Sequence, residues 1–277
     1  MSKHILVATD LSPRADRAVN RAVKLAKAHQ GRLTFLHVLD DAIPDDVLRQ
    51  MQIKTSAHLE RFVKSVAQDV EHTILDCVGD PTSTILEMIE DQDPDLVVMG
   101  THRERPFLDT LRETTVQRIV RLSDYPTLVV VDAADHDYET VLAATDFSPA
   151  ATHALNLGHS LAPKSVMTPV NALHVPYRGM LGGAAEDAGQ SLVASFQAEA
   201  QEADAAWRAG TALPVNLQHT QFVEGSPFGT LKSIADQGGA HLITAGAHGR
   251  MGDHRALLGS LANDLLRDPP CDVLISR

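Results

Sequence analysis

Three glycines and a serine in one stretch of the chain have the spacing of a phosphate-binding loop. The stretch GAHGRMGDHRALLGS runs from Gly246 through two residues to Gly249, then through nine to Gly259 and Ser260. SLANDLLR follows, with Leu261 and Leu265 four apart, which predicts a helix beginning at Ser260. Glycine can take φ > 0 and lets a ligand approach the backbone with no Cβ in the way. A helix N-terminus adds unpaired N–H groups and the positive end of the dipole, both suited to phosphate oxygens. The Ser260 hydroxyl can cap the helix or donate to a phosphate, and Arg250 is placed to add a positive charge. Gly246 alone would signify a tight turn; all three glycines at this spacing signify an anion site.

Such a loop needs a sheet to hold it, and the chain supplies two through an internal repeat. HILVATDLSPRADRAVNRAVKLA at 4–26 matches TVLAATDFSPAATHALNLGHSLA at 140–162, an offset of 136. LHV at 36–38 returns at 173–175, an offset of 137, and DLVVMGTHRE at 95–104 returns as HLITAGAHGR at 241–250, an offset of 146. The drift places about nine extra residues between Val175 and Gly225, in the Gly-rich RGMLGGAAEDAG at 178–189. A repeat of this length is a domain duplication rather than a short solenoid unit. Each half alternates apolar runs of strand length with segments of helical period. In the first half the strands are 5–9, 32–39, 72–78, 95–100 and 127–131. Ser12-Pro13 and Asp80-Pro81 open helices, with a cap followed by proline at the first helical position.

This alternation predicts two tandem doubly wound α/β domains, 1–134 and 138–277, each a parallel sheet with helices on both faces. The polar DAADHDYE at 132–139 joins them. In such a sheet ligands bind beyond the carboxyl ends of the strands, where strand order reverses. The loops after the first and fourth strands should meet there. In the second half these are TDFSP at 145–149 and the glycine loop.

The G-x2-G-x9-G-S pattern, the ATD segments, the LHV strands and GSP at 225–227 resemble the universal stress protein family in its ATP-binding branch. The resemblance covers nearly the whole chain twice. It implies a five-stranded parallel sheet of Rossmann-like type, related to the adenine nucleotide alpha hydrolases, in each half. In the second half it implies an ATP site. Thr145, Asp146 and Val175 would hold the adenine end, while Gly246, His248, Gly249, Arg250, Gly259, Ser260 and Leu261 would surround the ribose and phosphates. Mg²⁺ is expected with a triphosphate. The resemblance also implies that the halves pack through their last strands, 127–131 and 272–276, and that chains associate as a homodimer.

The first half departs from the pattern. Gly100 is kept, but Arg103 and Glu113 stand where the second and third glycines would be. Thr114 and Gln117 still make a capping box, so the helix start survives. Glu113 puts a negative charge where phosphate should lie, so ATP is expected in the second half alone. Thr9, Asp10 and Val38 keep the adenine-end matches, which leaves room for a smaller or non-phosphorylated ligand. Asp146 is read as a nucleotide contact, and Asp10 as a carboxylate favoured by the helix dipole.

Composition narrows the rest. The net charge is −12, both halves are acidic, and no Lys/Arg cluster stands out, which argues against nucleic acid or an anionic membrane surface as partner. Hydrophobic residues make up 44% of the chain but aromatics only 4%, so the core is built from Ala, Val, Leu and Ile. No apolar stretch approaches membrane-spanning length, and Cys77 and Cys271 lie in different halves, as suits a reducing, cytoplasmic compartment. The 14 histidines include no HxxxH or HExxH pair, so no zinc site is predicted. His37 and His174 read as structural strand residues, and Cys271 as buried and inert. No residue pair reads as nucleophile and base. The leading expectation is an ATP-binding regulatory or stress-response protein, with weak ATP hydrolysis at most and room for an unidentified protein partner. Its rivals are a slow ATP hydrolase or phosphotransferase at the same site, and an interaction scaffold with vestigial sites.

Overall fold

The computed structural model describes residues 3–101, 113–173, 186–249 and 257–277, without the side chains of 186–191. The chain forms two compact units. One is built chiefly of Met1–Asp137 and takes in Asp272–Ile275; the other is built chiefly of Tyr138–Asp253 and Gly259–Cys271.

In the first unit β1 (His4–Thr9), β2 (Arg32–Leu39), β3 (His72–Val78), β4 (Leu96–Gly100) and β5 (Thr127–Val130) are all parallel, in the order β3-β2-β1-β4-β5. Strand order reverses beside β1, as in a doubly wound sheet. Every residue of β1 is buried, because helices cover both faces. The helices are α1 (Pro13–His29), α2 (Asp45–Val66), α3 (Pro81–Gln92) and α4 (Thr115–Leu122). α1 buries Ala18, Val19, Ala22, Leu25 and Ala26, the stripe its sequence period predicts.

The second unit repeats this plan with β6 (Thr140–Ala144), α5 (Pro149–Leu161), β7 (Val166–Leu173), α6 (Glu186–Gly210), β8 (Gln221–Glu224), α7 (Pro227–Gly238), β9 (Leu242–Gly246) and α8 (Ser260–Arg267). Its strands are parallel in the order β8-β7-β6-β9. The final strand, β10 (Asp272–Ser276), runs antiparallel to β5, with Val273 opposite Val129.

Proline punctuates both units alike. Ser12, Asp80, Ser148 and Ser226 are N-caps, each accepting a hydrogen bond from the amide three residues on and each followed by proline. Among the described residues no helix is long and apolar enough to cross a membrane.

Sheet register corrects the repeat alignment. Ala8 lies opposite Leu36 and Ala144 opposite Val170, so the equivalent of Val38 is Ala172, not Val175. Hydrogen bonds agree: Gly79 N–H donates to Leu39 O, and Gly225 N–H to Leu173 O. The second LHV is therefore a coincidence of composition, three residues beyond the equivalent stretch. Two residues are lost before β7, where α5 has 13 residues against 17 in α1. The insertion that follows is correspondingly longer than the repeat suggested.

One buried ion pair fastens the end of the chain into the first unit. Arg21 Nε lies 3.3 Å from Asp272 Oδ2, with the two side chains 1% and 0% exposed. Asp272 Oδ1 also accepts from the amides of Val131 and Asp132, and Arg21 donates to the carbonyls of Ala133 and His136. Each charge thus has several partners, which burial requires.

Candidate functional site

The site in the second unit begins with the loop after β6. Thr145 Oγ1 accepts from Phe147 N–H at 2.9 Å, Asp146 Oδ1 from Ser148 N–H at 3.0 Å, and Ser148 Oγ from Ala151 N–H at 3.3 Å. These local bonds wind the chain tightly from strand to helix. Phe147 adopts φ +65° in the process, a left-handed conformation that costs a bulky residue roughly 1 kcal/mol. Leu11, at the same place in the first unit, has φ +59° with the same Thr9 and Asp10 bonds. Nothing in the residue pattern hints at this strain. Such strain clusters at ligand sites, where surrounding structure sustains it. For Phe147 the support is the Trp207 ring of α6, its centroid 5.5 Å away.

The glycine loop faces this turn from the end of β9. All three glycines serve close approach, and none has positive φ. A Cβ on Gly246 would stand 2.9 Å from Ala151 N, so this glycine lets β9 pack against α5. A Cβ on Gly259 would stand 3.1 Å from Ala247 O, which accepts from Gly259 N–H at 2.8 Å. Gly259 is the N-cap of α8, and no side chain caps that helix. Its first-turn amides therefore lack the partner that capping normally supplies.

Between the two loops lies a cavity of about 220 Å³. Of the predicted residues, Thr145, Asp146, Gly246, His248, Gly249 and Leu261 line it. Gly259 and Ser260 begin the helix to which Leu261 belongs. Val175 and Arg250 lie outside the described residues. Sequence reasoning missed Asn171, Ala172, Pro227 and Leu231, which also line the cavity, with Ala144, Ala151 and Val170. Pro227, the proline of GSP, and Leu231 belong to α7, so this motif also contributes to the site. Asn171 and Ala172 were hidden by the misaligned LHV. Asn171 Nδ2 donates to Thr145 O at 2.8 Å, tying β7 to the turn.

His248 is the titratable ring in the wall. Burial, helped by the charge of Arg277, holds its pKa below the usual imidazole value, so it is neutral at pH 7. Its Nε2 is buried without a hydrogen-bond partner among the described residues.

The first unit has a matching cavity of about 250 Å³, lined by Thr9, Asp10, Leu36, Val38, Pro81, Ile85 and Gly100 among others. Its helix end differs. Thr114 Oγ1 accepts from Gln117 N–H and Gln117 Oε1 from Thr114 N–H, a complete capping box. Glu113 makes two bonds to Arg121, at 2.7 and 2.9 Å, which hold its carboxyl below the usual range and keep it ionised. Arg103 lies outside the described residues.

His37 is buried and bonded through Nδ1 to Asp76 at 2.8 Å, as a structural strand histidine should be. Ser56 donates to Asp76 rather than to His37, so this Ser-His-Asp group lacks the nucleophile–base bond of a triad. Cys271 is buried and forms no disulfide.

The duplication, the turns and the two cavities point to one family, and a family comparison decides it. The profile of the Universal stress protein family matches residues 1–131 and again 137–277. The chain belongs to that family. Membership in the universal stress protein family supports a stress-response role. Among curated relatives, the universal stress protein A homolog of Haemophilus influenzae is 32% identical over 126 residues, 42% of this chain and 88% of the relative. The universal stress protein A homolog 1 of Coxiella burnetii is 27% identical over 139 residues, 46% of this chain and 95% of the relative. A universal stress protein structure from Archaeoglobus fulgidus matches 100% of this chain and 99% of its own, with TM-score 0.71 at 16% identity. A putative universal stress protein from Pseudomonas aeruginosa matches 99% of this chain and 93% of its own, with TM-score 0.64 at 19% identity. At such identities the structural matches establish the fold.

Proposed function

We propose that this universal stress protein binds one ATP per chain, in the second unit, and acts as a nucleotide-dependent regulator. The observation that carries the reading is the uncapped start of α8 at Gly259, beside a cavity walled by Asp146, His248 and Gly249. The ring and sugar would take the cavity, against Val170 and Ala172, with Asp146 accepting from the sugar hydroxyls. The phosphates would lie on the amide end of α8, with Ser260 and Arg250 as further donors. Among the described residues no three His, Cys, Asp or Glu side chains form a metal cluster. Mg²⁺ would accordingly be held by the phosphates and water, as is usual for this ion. The family likeness extends this reading to a cytoplasmic homodimer.

The test is Gly259→Glu, which copies the first unit's own Glu113. An added carboxylate and Cβ would displace one or two charge-assisted hydrogen bonds, about 3 kcal/mol, or roughly a hundredfold in affinity. Wild type should melt at higher temperature with saturating ATP, and the variant should not. A normally folded variant that binds ATP like wild type would remove the phosphates from this helix.

A further inference from the structure

We infer that the cavity of the first unit is a second ligand site, one that takes an uncharged nucleoside and refuses nucleoside phosphates. The choice of a nucleoside rests on the reading of the second cavity as a nucleotide site, because the two are built on equivalent positions. Thr9 and Asp10 stand where Thr145 and Asp146 do, and sheet register places Leu36 and Val38 where Val170 and Ala172 are. The larger apolar side chains on β2 offer a flat ring more contact area than their counterparts on β7.

The polar groups here favour a ligand that donates hydrogen bonds. Thr9 Oγ1 is taken up by Leu11 N–H, and Asp10 Oδ1 by Ser12 N–H. No bond to the second carboxylate oxygen of Asp10 is seen within the described residues, and Asp10 lines a cavity of about 250 Å³. Vicinal hydroxyls of a sugar suit such an acceptor. A phosphate does not, since both would be anions.

The helix end enforces the refusal. At α8 the first turn has no side-chain cap, whereas at α4 Thr114 and Gln117 occupy the terminal amides reciprocally. A phosphate arriving at α4 would have to displace that box and would meet the carboxylate of Glu113. Arg121, one of two arginines that act on Glu113, is already engaged by it twice. Duplication followed by divergence has thus kept the ring-and-sugar end of the first cavity and set a capping box and a carboxylate beside its phosphate end.

Equilibrium dialysis of the full chain against adenosine and against ATP tests this. Wild type should take up two adenosines and one ATP. Two variants of the first unit, Asp10→Ala at the sugar end and Val38→Trp filling the cavity, should each reduce adenosine to one and leave ATP at one. Circular dichroism confirms that each is folded. The inference is overturned if wild type binds fewer than two adenosines, if it binds two ATP, or if folded forms of both variants still bind two adenosines. Uptake of two adenosines with no ATP would refute the proposed phosphate site on α8 while leaving the first-unit site standing.

Discussion

A β-carbon placed on Gly249 would stand 3.0 Å from Oδ2 of Asp146. The two loops of the second unit therefore meet with no room for a side chain between them. Gly249→Val should push the Asp146 carboxylate aside and disturb its bond to Ser148. Calorimetric titration should show about a tenfold loss of ATP affinity, equivalent to ~1.4 kcal/mol. Gly249 is exposed, so the melting temperature without ATP should change little.

His248 should make both stability and binding depend on pH. Its pKa is lowered in the folded protein, so it contributes stability that is present above the ordinary imidazole value of 6.5 and is lost as pH falls through its folded pKa. Bound phosphate would raise that pKa, so the complex takes up a proton and ATP affinity should increase as pH falls through the same range. His248→Gln should flatten both profiles, as read by thermal melts and titrations from neutral to mildly acidic pH.

Trp207 is the only tryptophan in the chain, and it is in contact with the site turn. Its ring packs on Phe147, next to Asp146, and its Nε1–H donates to Thr152 Oγ1 at 2.8 Å. Binding at Asp146 should therefore change tryptophan emission in proportion to site occupancy. Phe147→Leu, which installs the residue found at position 11, should keep ATP binding and reduce the optical change.

The Arg21–Asp272 pair predicts a large stability effect. Arg21→Ala leaves a fully buried carboxylate without its cation and should cost about 3–5 kcal/mol in urea denaturation. Changing both residues to apolar ones should recover only part of this. The amides of Val131 and Asp132 would still lose their acceptor.

Much of the fold was legible because duplication wrote it twice and because Ser-Pro and Asp-Pro mark helix starts by local chemistry alone. The glycine spacing likewise pointed to a place where two loops come together. What could not be read were features set by tertiary packing. The positive φ of Phe147 depends on a network of side-chain bonds, and sequence spacing does not reveal it. Of the two uses of glycine expected there, positive φ and close approach, Gly246 and Gly259 show only closeness, and it is to the chain's own Ala151 and Ala247. The β7 equivalence depends on the connecting helix α5 being shorter than α1, so the tripeptide LHV misled where Ala172 was the true counterpart of Val38.

The antiparallel pairing of β10 with β5 bears on how the protein is made. Val131 and Asp272, joined by a hydrogen bond, are 141 positions apart. On a ribosome adding about 5–20 residues per second, the first unit emerges on the order of 10 s before its last strand. Through that interval β5 presents an open edge, and Arg21 awaits its carboxylate. An open edge is a template for pairing with another nascent chain. Slower translation of the second half of the message should therefore lower the yield of a correctly finished first half.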